Sequence, residues 1–190
     1  MAFPYPHKIR KTMVEQGIPN ETISKFEFPD SLQAEKIVSF ISQMEEILTP
    51  KQCLSIIECQ GCSKTGKSDK ENRTFGLKYA SKTIDERIKL LPESSIPKSV
   101  ICHLNSNRTL SVFWAFGVEG NYKCVCSGIR KLTEPIKIPR TYCGCCGGHI
   151  RHHLQNALFV ELHLKKILSS PNTSKGKKRC EFLFEVKEKA

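Results

Sequence analysis

The sequence predicts an α+β fold, with N-terminal helices followed by two β-hairpins that form an antiparallel sheet of about four strands backed by helices. Apolar residues recur at helical spacing in the first half of the chain, and from about residue 109 alternating β-branched and aromatic residues with turn signals replace them. The length of 190 residues suits one domain. We expect a mostly helical part over 1–100 and a hairpin–helix–hairpin part over 101–190.

The first clear helix is predicted over residues 32–48, where the apolar positions fall on one face. Asp30 or Ser31 is the expected N-cap, because their side chains can accept a hydrogen bond from the first helical N–H groups. This face should pack into the core.

A second helix is predicted to begin at Pro50, with Thr49 as its N-cap, and to stop near Gly61. A basic linker should separate it from a third helix over residues 75–91, which Pro92 closes. The first half therefore reads as a run of helices.

The second half of the chain predicts two hairpins around a helix. Strands over 109–118 and 122–132 flank a tight turn at Gly120, and strands over 160–169 and 180–186 follow later. Between the hairpins, a glycine-rich segment opens a helix that ends near residue 158. We expect that helix to pack on the sheet.

The net charge of +11 comes largely from two short basic runs, 64–73 and 175–179. Both are rich in Gly, Ser and Asn, which favours solvated loops over a phosphate-binding patch or a site for anionic lipid. The sequence contains no recognised DNA- or RNA-binding motif. Nucleic acid is therefore the least favoured partner.

Ten cysteines are many for a chain that shows neither a signal peptide nor an apolar run long enough to span a bilayer. These features predict a cytoplasmic protein without membrane association, in which the thiols are reduced. In such a compartment, closely spaced cysteines indicate metal or redox chemistry rather than disulfides.

Two cysteine clusters have the spacing of metal ligands. Cys59 and Cys62 form a C-x2-C motif, and Cys143, Cys145 and Cys146 follow each other within four positions. Glycines in both segments permit the turns that bring sulfurs to one ion. We expect a structural zinc held by Cys59, Cys62 and two of the other three. An iron–sulfur cluster is the alternative, since four thiolates suit both, and a metal-free thiol cluster is the third.

The other cysteines have less distinctive surroundings. Cys124 and Cys126 should share one face of a strand, either as core residues or lining the same cavity. Cys53 and Cys102 lie among apolar residues and are expected to be packing residues, and Cys180 should face the core.

A catalytic alternative rests on the helix after the second cysteine cluster. His149 and His153 lie four residues apart on one helical face, where they could ligate a metal or act as acid and base. Cys146 or Cys145, at the start of that helix, could be a nucleophile, because the helix N-terminus lowers a thiol pKa. A polar helix flank is the alternative interpretation of the histidines, and no H-E-x-x-H metalloprotease motif occurs.

Three segments carry a resemblance to a known group of proteins: residues 142–158, 169–171 and 176–182. They resemble an uncharacterised cysteine-rich bacterial family and, more distantly, the 4-vinyl reductase domain. Relatives of that domain include a thiazoline-carboxylate hydrolase family and subunits of a eukaryotic vesicle-tethering complex. The resemblance implies a helix-backed antiparallel sheet and a pocket for a small hydrophobic or tetrapyrrole-like ligand.

The sequence thus favours a metal-stapled protein that binds or senses a small molecule. The first alternative is a hydrolase that uses Cys146 or Cys145 with His149 or His153 on a small substrate. The second alternative is a basic nucleic-acid-binding protein. The pattern predicts no particular oligomeric state.

Overall fold

The computed structural model describes residues 5–31, 33–61, 64–126, 129 and 137–188. Within this part of the chain lie seven α-helices: α1 (Pro6–Glu15), α2 (Asn20–Ile23), α3 (Ala34–Ile47), α4 (Pro50–Glu58), α5 (Lys67–Lys78), α6 (Ile84–Leu90) and α7 (Gly144–Ala157). The strands are β1 (Val100–Leu104), β2 (Thr109–Trp114), β3 (Phe116–Val118), β4 (Asn121–Lys123), β5 (Val160–Ser169) and β6 (Cys180–Glu188).

The predicted start of α4 is confirmed, whereas the predicted N-cap of α3 is wrong. Thr49 and Gln52 form a reciprocal capping box, in which each side chain accepts a hydrogen bond from the other residue's backbone N–H. Gln33 occupies the N-cap position of α3 without a side-chain cap. Asp30, one of the two expected caps, instead accepts a hydrogen bond from Lys36 Nζ at 2.7 Å.

The single helix predicted over residues 75–91 is wrong, because the chain forms two helices there. Thr83 and Glu86 make a second capping box, which begins α6 after α5 has ended. The basic run predicted as a loop is also partly helical, since α5 begins at Lys67. The ion pair between Arg73 and Asp69, at 3.0 Å, supports one turn of this helix.

The α+β class is confirmed. Four antiparallel strands form the main sheet in the order β1-β2-β6-β5. The hairpin of β5 and β6 is the one predicted for 160–169 and 180–186. Along β6, Cys180, Phe182 and Phe184 are all buried, so the predicted core face of that strand is correct.

The first predicted hairpin is only partly correct. Gly120, with a φ of 79°, lies in the turn between β3 and β4, which form a separate two-stranded sheet. The partner of β2 is β1 on one side and β6 on the other, rather than a strand over 122–132. Most of residues 127–132 lie outside the described residues.

Helix α7 packs against the sheet and lies between two groups of buried side chains. One core cluster is formed mainly by α1, α3 and α4, and includes Ile41, Ile56 and Tyr142. The other is formed by the sheet with α7, and includes Ile150 and Phe182. The position of α7 brings residues from both halves of the chain to its N-terminal end.

None of the helices in the described part of the chain combines the length and the apolar composition that crossing a membrane requires.

Candidate functional site: thiols and histidines around helix α7

A short 3-10 helix, Arg140–Cys143, leads directly into α7 and fixes where its first thiols lie. The backbone N–H of Thr141 donates to Glu45 Oε1 at 3.0 Å, which ties this segment to α3. Tyr142 is almost fully buried in the core around α3 and α4. The first turn of α7 is therefore anchored on two sides.

The three cysteines at this end of α7 pack into two different cores. Cys143 and Cys146 are three residues apart, so they lie on nearly the same side of the helix, and both pack with the sheet core. Cys145 lies in the other core, with the N-terminal helices. The Cys145 thiol nevertheless lies near enough to the Cys146 thiol to help raise its pKa, as the Cys143 thiol does.

Cys143 and Cys146 meet the segment that follows β4. The thiols of Cys126 and Cys146 lie within hydrogen-bonding reach of each other. Cys124 Sγ accepts hydrogen bonds from the backbone N–H of Cys126, at 3.4 Å, and from Asn172 Nδ2, at 3.3 Å. Cys180, at the start of β6, is close enough to Cys124, Cys126 and Cys143 for their thiols to influence its ionisation.

We refer to these five residues, Cys124, Cys126, Cys143, Cys146 and Cys180, as the thiol cluster. Its members come from three separate segments of the chain. The hydroxyl of Tyr142 borders the cluster, 3.9 Å from Cys126 Sγ. Sequence spacing alone could not group Cys124, Cys126 and Cys180 with the α7 thiols, although alternation in β6 did predict that Cys180 faces inward.

Three thiols of the cluster are held in the protonated form, those of Cys143, Cys146 and Cys180. The hydrogen bond with Cys126 and burial raise the pKa of Cys146 well above its ordinary value. Burial raises the pKa of Cys143 to about 12, against the opposing effect of a hydrogen bond with Ser170. Burial and the neighbouring thiols also raise the pKa of Cys180. Thiols in such surroundings are poor nucleophiles, because the reactive species is the thiolate.

The Cys59 segment approaches α7 from the opposite side. A Cβ atom on Gly61 would lie 2.7 Å from the backbone nitrogen of His149, so the end of α4 and the start of α7 are in direct backbone contact. The Cys59 thiol is exposed and donates to Ser55 O at 3.3 Å. Cys62, the other residue of the predicted C-x2-C pair, lies outside the described residues.

Lys64 lies close to both Cys59 and Cys145. Its Nζ donates to Cys59 O at 2.7 Å. Burial lowers the pKa of this lysine, and the Cys59 and Cys145 thiols lie near enough to influence it. Cys145 is therefore the α7 cysteine on the Cys59 side.

The remaining cysteines are packing residues, as predicted. Cys53 is buried among the N-terminal helices, and burial raises its pKa to about 11. Cys102 is half-buried against the sheet core, and burial raises its pKa to about 12.

The two candidate catalytic histidines are adjacent, with ring centroids 4.8 Å apart. His149 stacks on Trp114 of β2, with a centroid distance of 5.6 Å. His153 is only 6% exposed, and its Nδ1 lies 3.2 Å from Nδ2 of the fully buried Asn72. His153 is thus a buried histidine that contacts α5, rather than part of a polar helix flank.

A second histidine contact was not predicted from the sequence. His152 Nε2 lies 2.7 Å from Asp69 Oδ1, to which Asn156 Nδ2 also donates at 3.0 Å. Asp69 Oδ2 accepts from Arg73 Nε at 3.0 Å. Asp69 lies in the basic run over 64–73, which the sequence analysis assigned to a solvated loop. For that reason its contact with His152 was not predicted. Only the i, i+4 pairing of Asp69 with Arg73 signalled a helix there.

These contacts define what the site can do chemically. The thiol cluster offers soft donors to a metal ion, whereas the Asp69–His152 pair can hold a proton at a fixed position. Among the described residues, no three His, Cys, Asp or Glu side chains already stand in a metal-binding arrangement. No known protein family matches the chain, and neither does any curated protein or solved structure.

Proposed function

We propose that this chain is a metal-binding protein in which the thiol cluster holds a single ion, with zinc as the first choice. The observation that carries the proposal is the contact between the Cys126 and Cys146 thiols, with Cys124 and Cys143 beside them. An iron–sulfur cluster is the alternative occupant, because four thiolates serve both.

The spacing of these four residues supports the proposal. Cys124 and Cys126 form a C-x-C pair, and Cys143 and Cys146 form a C-x2-C pair in a different segment. A structural zinc site takes four soft ligands in tetrahedral geometry, commonly as two such pairs. In this arrangement Cys180 is a fifth thiol that lies near the two pairs and is not a ligand.

The raised pKa values are compatible with metal binding. A cation must displace the thiol protons, so affinity should rise with pH and binding should release protons. Because the described side chains do not already form a metal-binding arrangement, the thiols must also turn about χ1 toward a common point. In this proposal the bound ion would fix the final orientation of the thiols.

The sequence-based ligand set is the second arrangement to test. It joins Cys59 and Cys62 with cysteines of α7, of which Cys145 is the one near Lys64 and Cys59. Two ligand pairs on opposite sides of α7 predict different sensitivities to substitution. The two sets can therefore be separated by mutagenesis.

A small ligand and a sensory role remain proposals that follow from the resemblance, with Trp114 and His149 as the adjoining aromatic surface. The hydrolase alternative has less support, since the high pKa of Cys146 disfavours a thiolate nucleophile at neutral pH.

Cobalt titration under anaerobic conditions tests the ligand set, because the intensity of thiolate-to-cobalt charge-transfer absorption scales with the number of thiolates bound. We expect four-thiolate spectra from the unmodified chain and from Cys102→Ser, which removes a half-buried thiol outside the cluster. Cys126→Ser and Cys146→Ser should each lower the intensity and the affinity. Loss of the signal in Cys59→Ser or Cys145→Ser instead would move the site to the other side of α7.

A further inference from the structure

The two edge strands of the main sheet, β5 and β1, differ in how far side chains cover their backbone. At the β5 edge, the backbone N–H of Leu164 donates to Glu58 Oε2 at 2.7 Å, and Arg151 Nη1 reaches Leu162 O at 3.5 Å. Glu58 and Arg151 also pair with each other at 3.1 Å. Side chains of α4 and α7 thus occupy backbone groups that an edge strand would otherwise present for pairing.

The β1 edge has a different character. β1 pairs with β2 and, among the described residues, with no other strand. Ile101, the second of the five residues of β1, is 50% exposed. An exposed apolar residue on an edge strand is a feature that proteins normally avoid, because it invites pairing with another chain.

A groove of about 560 Å³ lies beside this edge. Its lining includes Ile101 and Cys102, which are neighbours in β1 and point to opposite faces of the sheet. Because both residues line it, the groove borders this part of β1. The remaining lining comes from α6, from the segment between α6 and β1, and from the first residue of β1, and is mostly apolar: Ile88, Lys89, Leu91, Pro92, Ile96, Pro97, Lys98 and Val100.

The charge of the groove indicates what fits it. Lys89 and Lys98 are its only charged lining residues, and the chain as a whole carries a net charge of +11. A second copy of the chain would bring the same lysines and the same net charge to the edge, and like charges disfavour that pairing. An acidic segment would be attracted to it.

We propose that β1 is a docking edge for an extended acidic peptide of a partner protein, which adds a strand to the sheet. Backbone hydrogen bonds to β1 would supply affinity, alternate apolar side chains of the peptide would enter the groove, and its carboxylates would face Lys89 and Lys98. The proposal does not depend on metal binding, since none of its residues belongs to the thiol cluster.

Fluorescence anisotropy with a labelled EVEVEIE peptide tests this proposal. The peptide alternates carboxylates with β-branched residues, and KVKVKIK is its basic counterpart. We expect saturable binding of EVEVEIE that weakens about tenfold when Lys89 and Lys98 are both replaced by Glu. Ile101→Asp should abolish binding, whereas Val118→Asp, at a 71% exposed apolar position on β3, should leave it unchanged.

Several results would overturn the proposal. Absence of saturable EVEVEIE binding, equal binding of KVKVKIK, or full binding by Ile101→Asp would each exclude an acidic-strand site at β1. Sedimentation velocity tests whether a second copy of the chain binds this edge instead. A dimer that Ile101→Asp converts to a monomer would assign the edge to self-association. Circular dichroism of each variant must match the unmodified chain, since Ile101 is half exposed and its replacement should not unfold the protein.

Discussion

The thiol of Cys146, on the first turn of α7, lies within hydrogen-bonding reach of the thiol of Cys126, in the segment after β4. This contact joins two cysteine motifs that are distant in sequence. It also lies where the N-terminal helical core and the sheet core meet, because Cys126 packs with the first and Cys146 with the second. An ion bound there would connect both cores.

The backbone contact between α4 and α7 predicts unequal effects of two adjacent substitutions. A Cβ atom on Gly148 would collide with Glu58 O and lie 2.8 Å from Gln60 O, and backbone atoms cannot turn aside. Gly148→Ala should therefore destabilise the protein by about 1–3 kcal/mol or more, measured by urea unfolding.

Gly147→Ala is the matched control. Its Cβ would lie 3.2 Å from side-chain atoms of Leu164 and Phe182, which can adjust, and alanine favours the helix by about 1 kcal/mol over glycine. We expect a change within about 1 kcal/mol. Equal losses in the two variants would mean that α4 and α7 do not touch as described.

Glu58 should be a strong determinant of stability. It accepts a hydrogen bond from the β5 edge and pairs with Arg151, whose side chain is only 18% exposed. Glu58→Ala leaves a partly buried cation and a buried N–H group without this partner, at a cost of about 2–3 kcal/mol in denaturant unfolding. Glu15→Gln, which breaks an exposed pair with Lys11, should cost at most about 0.5 kcal/mol. Similar losses would show that Glu58 is not buried against the edge.

His152 predicts a dependence of stability on pH. Burial, aided by His153 and Lys64, lowers the pKa of His152 from 6.5, although the Asp69 hydrogen bond acts in the opposite direction. The fold therefore favours the neutral imidazole. The stabilisation is fully present above pH 6.5 and is lost as the pH falls from there through the folded-state pKa.

Unfolding free energies measured between about pH 7 and 5 should decrease more steeply for the unmodified chain than for His152→Gln. Asp69 contributes little in this window, because the Arg73 and His152 hydrogen bonds outweigh burial and hold its pKa below 3.8. Parallel slopes for the two proteins would show that His152 is not held in the neutral form.

The sequence predicted the features that local patterns determine. Short-range signals predict the Thr49 cap, helix α7 with its glycine-rich first turns, and the β5–β6 hairpin. The division of residues 75–91 into two helices was missed because apolar residues recur at helical spacing throughout this stretch. The capping box of Thr83 and Glu86 nevertheless begins a new helix within it. β1 was missed because its five residues carry little pattern of their own.

The candidate site was less predictable, since its contacts are non-local. Spacing grouped Cys143, Cys145 and Cys146, but it could not show that Cys145 packs into the core of the N-terminal helices while the other two pack with the sheet. The approach of Cys124 and Cys126 depends on how the segment after β4 folds back on α7, and the pairing of Asp69 with His152 on how α5 packs against α7. No periodicity within one segment encodes either contact.

Metal analysis of anaerobically purified protein tests the central proposal most directly. We predict about one zinc ion per chain for the unmodified protein and for Cys102→Ser, and almost none for the Cys126→Ser/Cys146→Ser double variant. Chelation should lower the melting temperature of the first two proteins, because losing a structural ion loses folding free energy. Stoichiometric zinc in the double variant, or a chain that contains no metal and melts at the same temperature with and without chelator, would contradict the proposal.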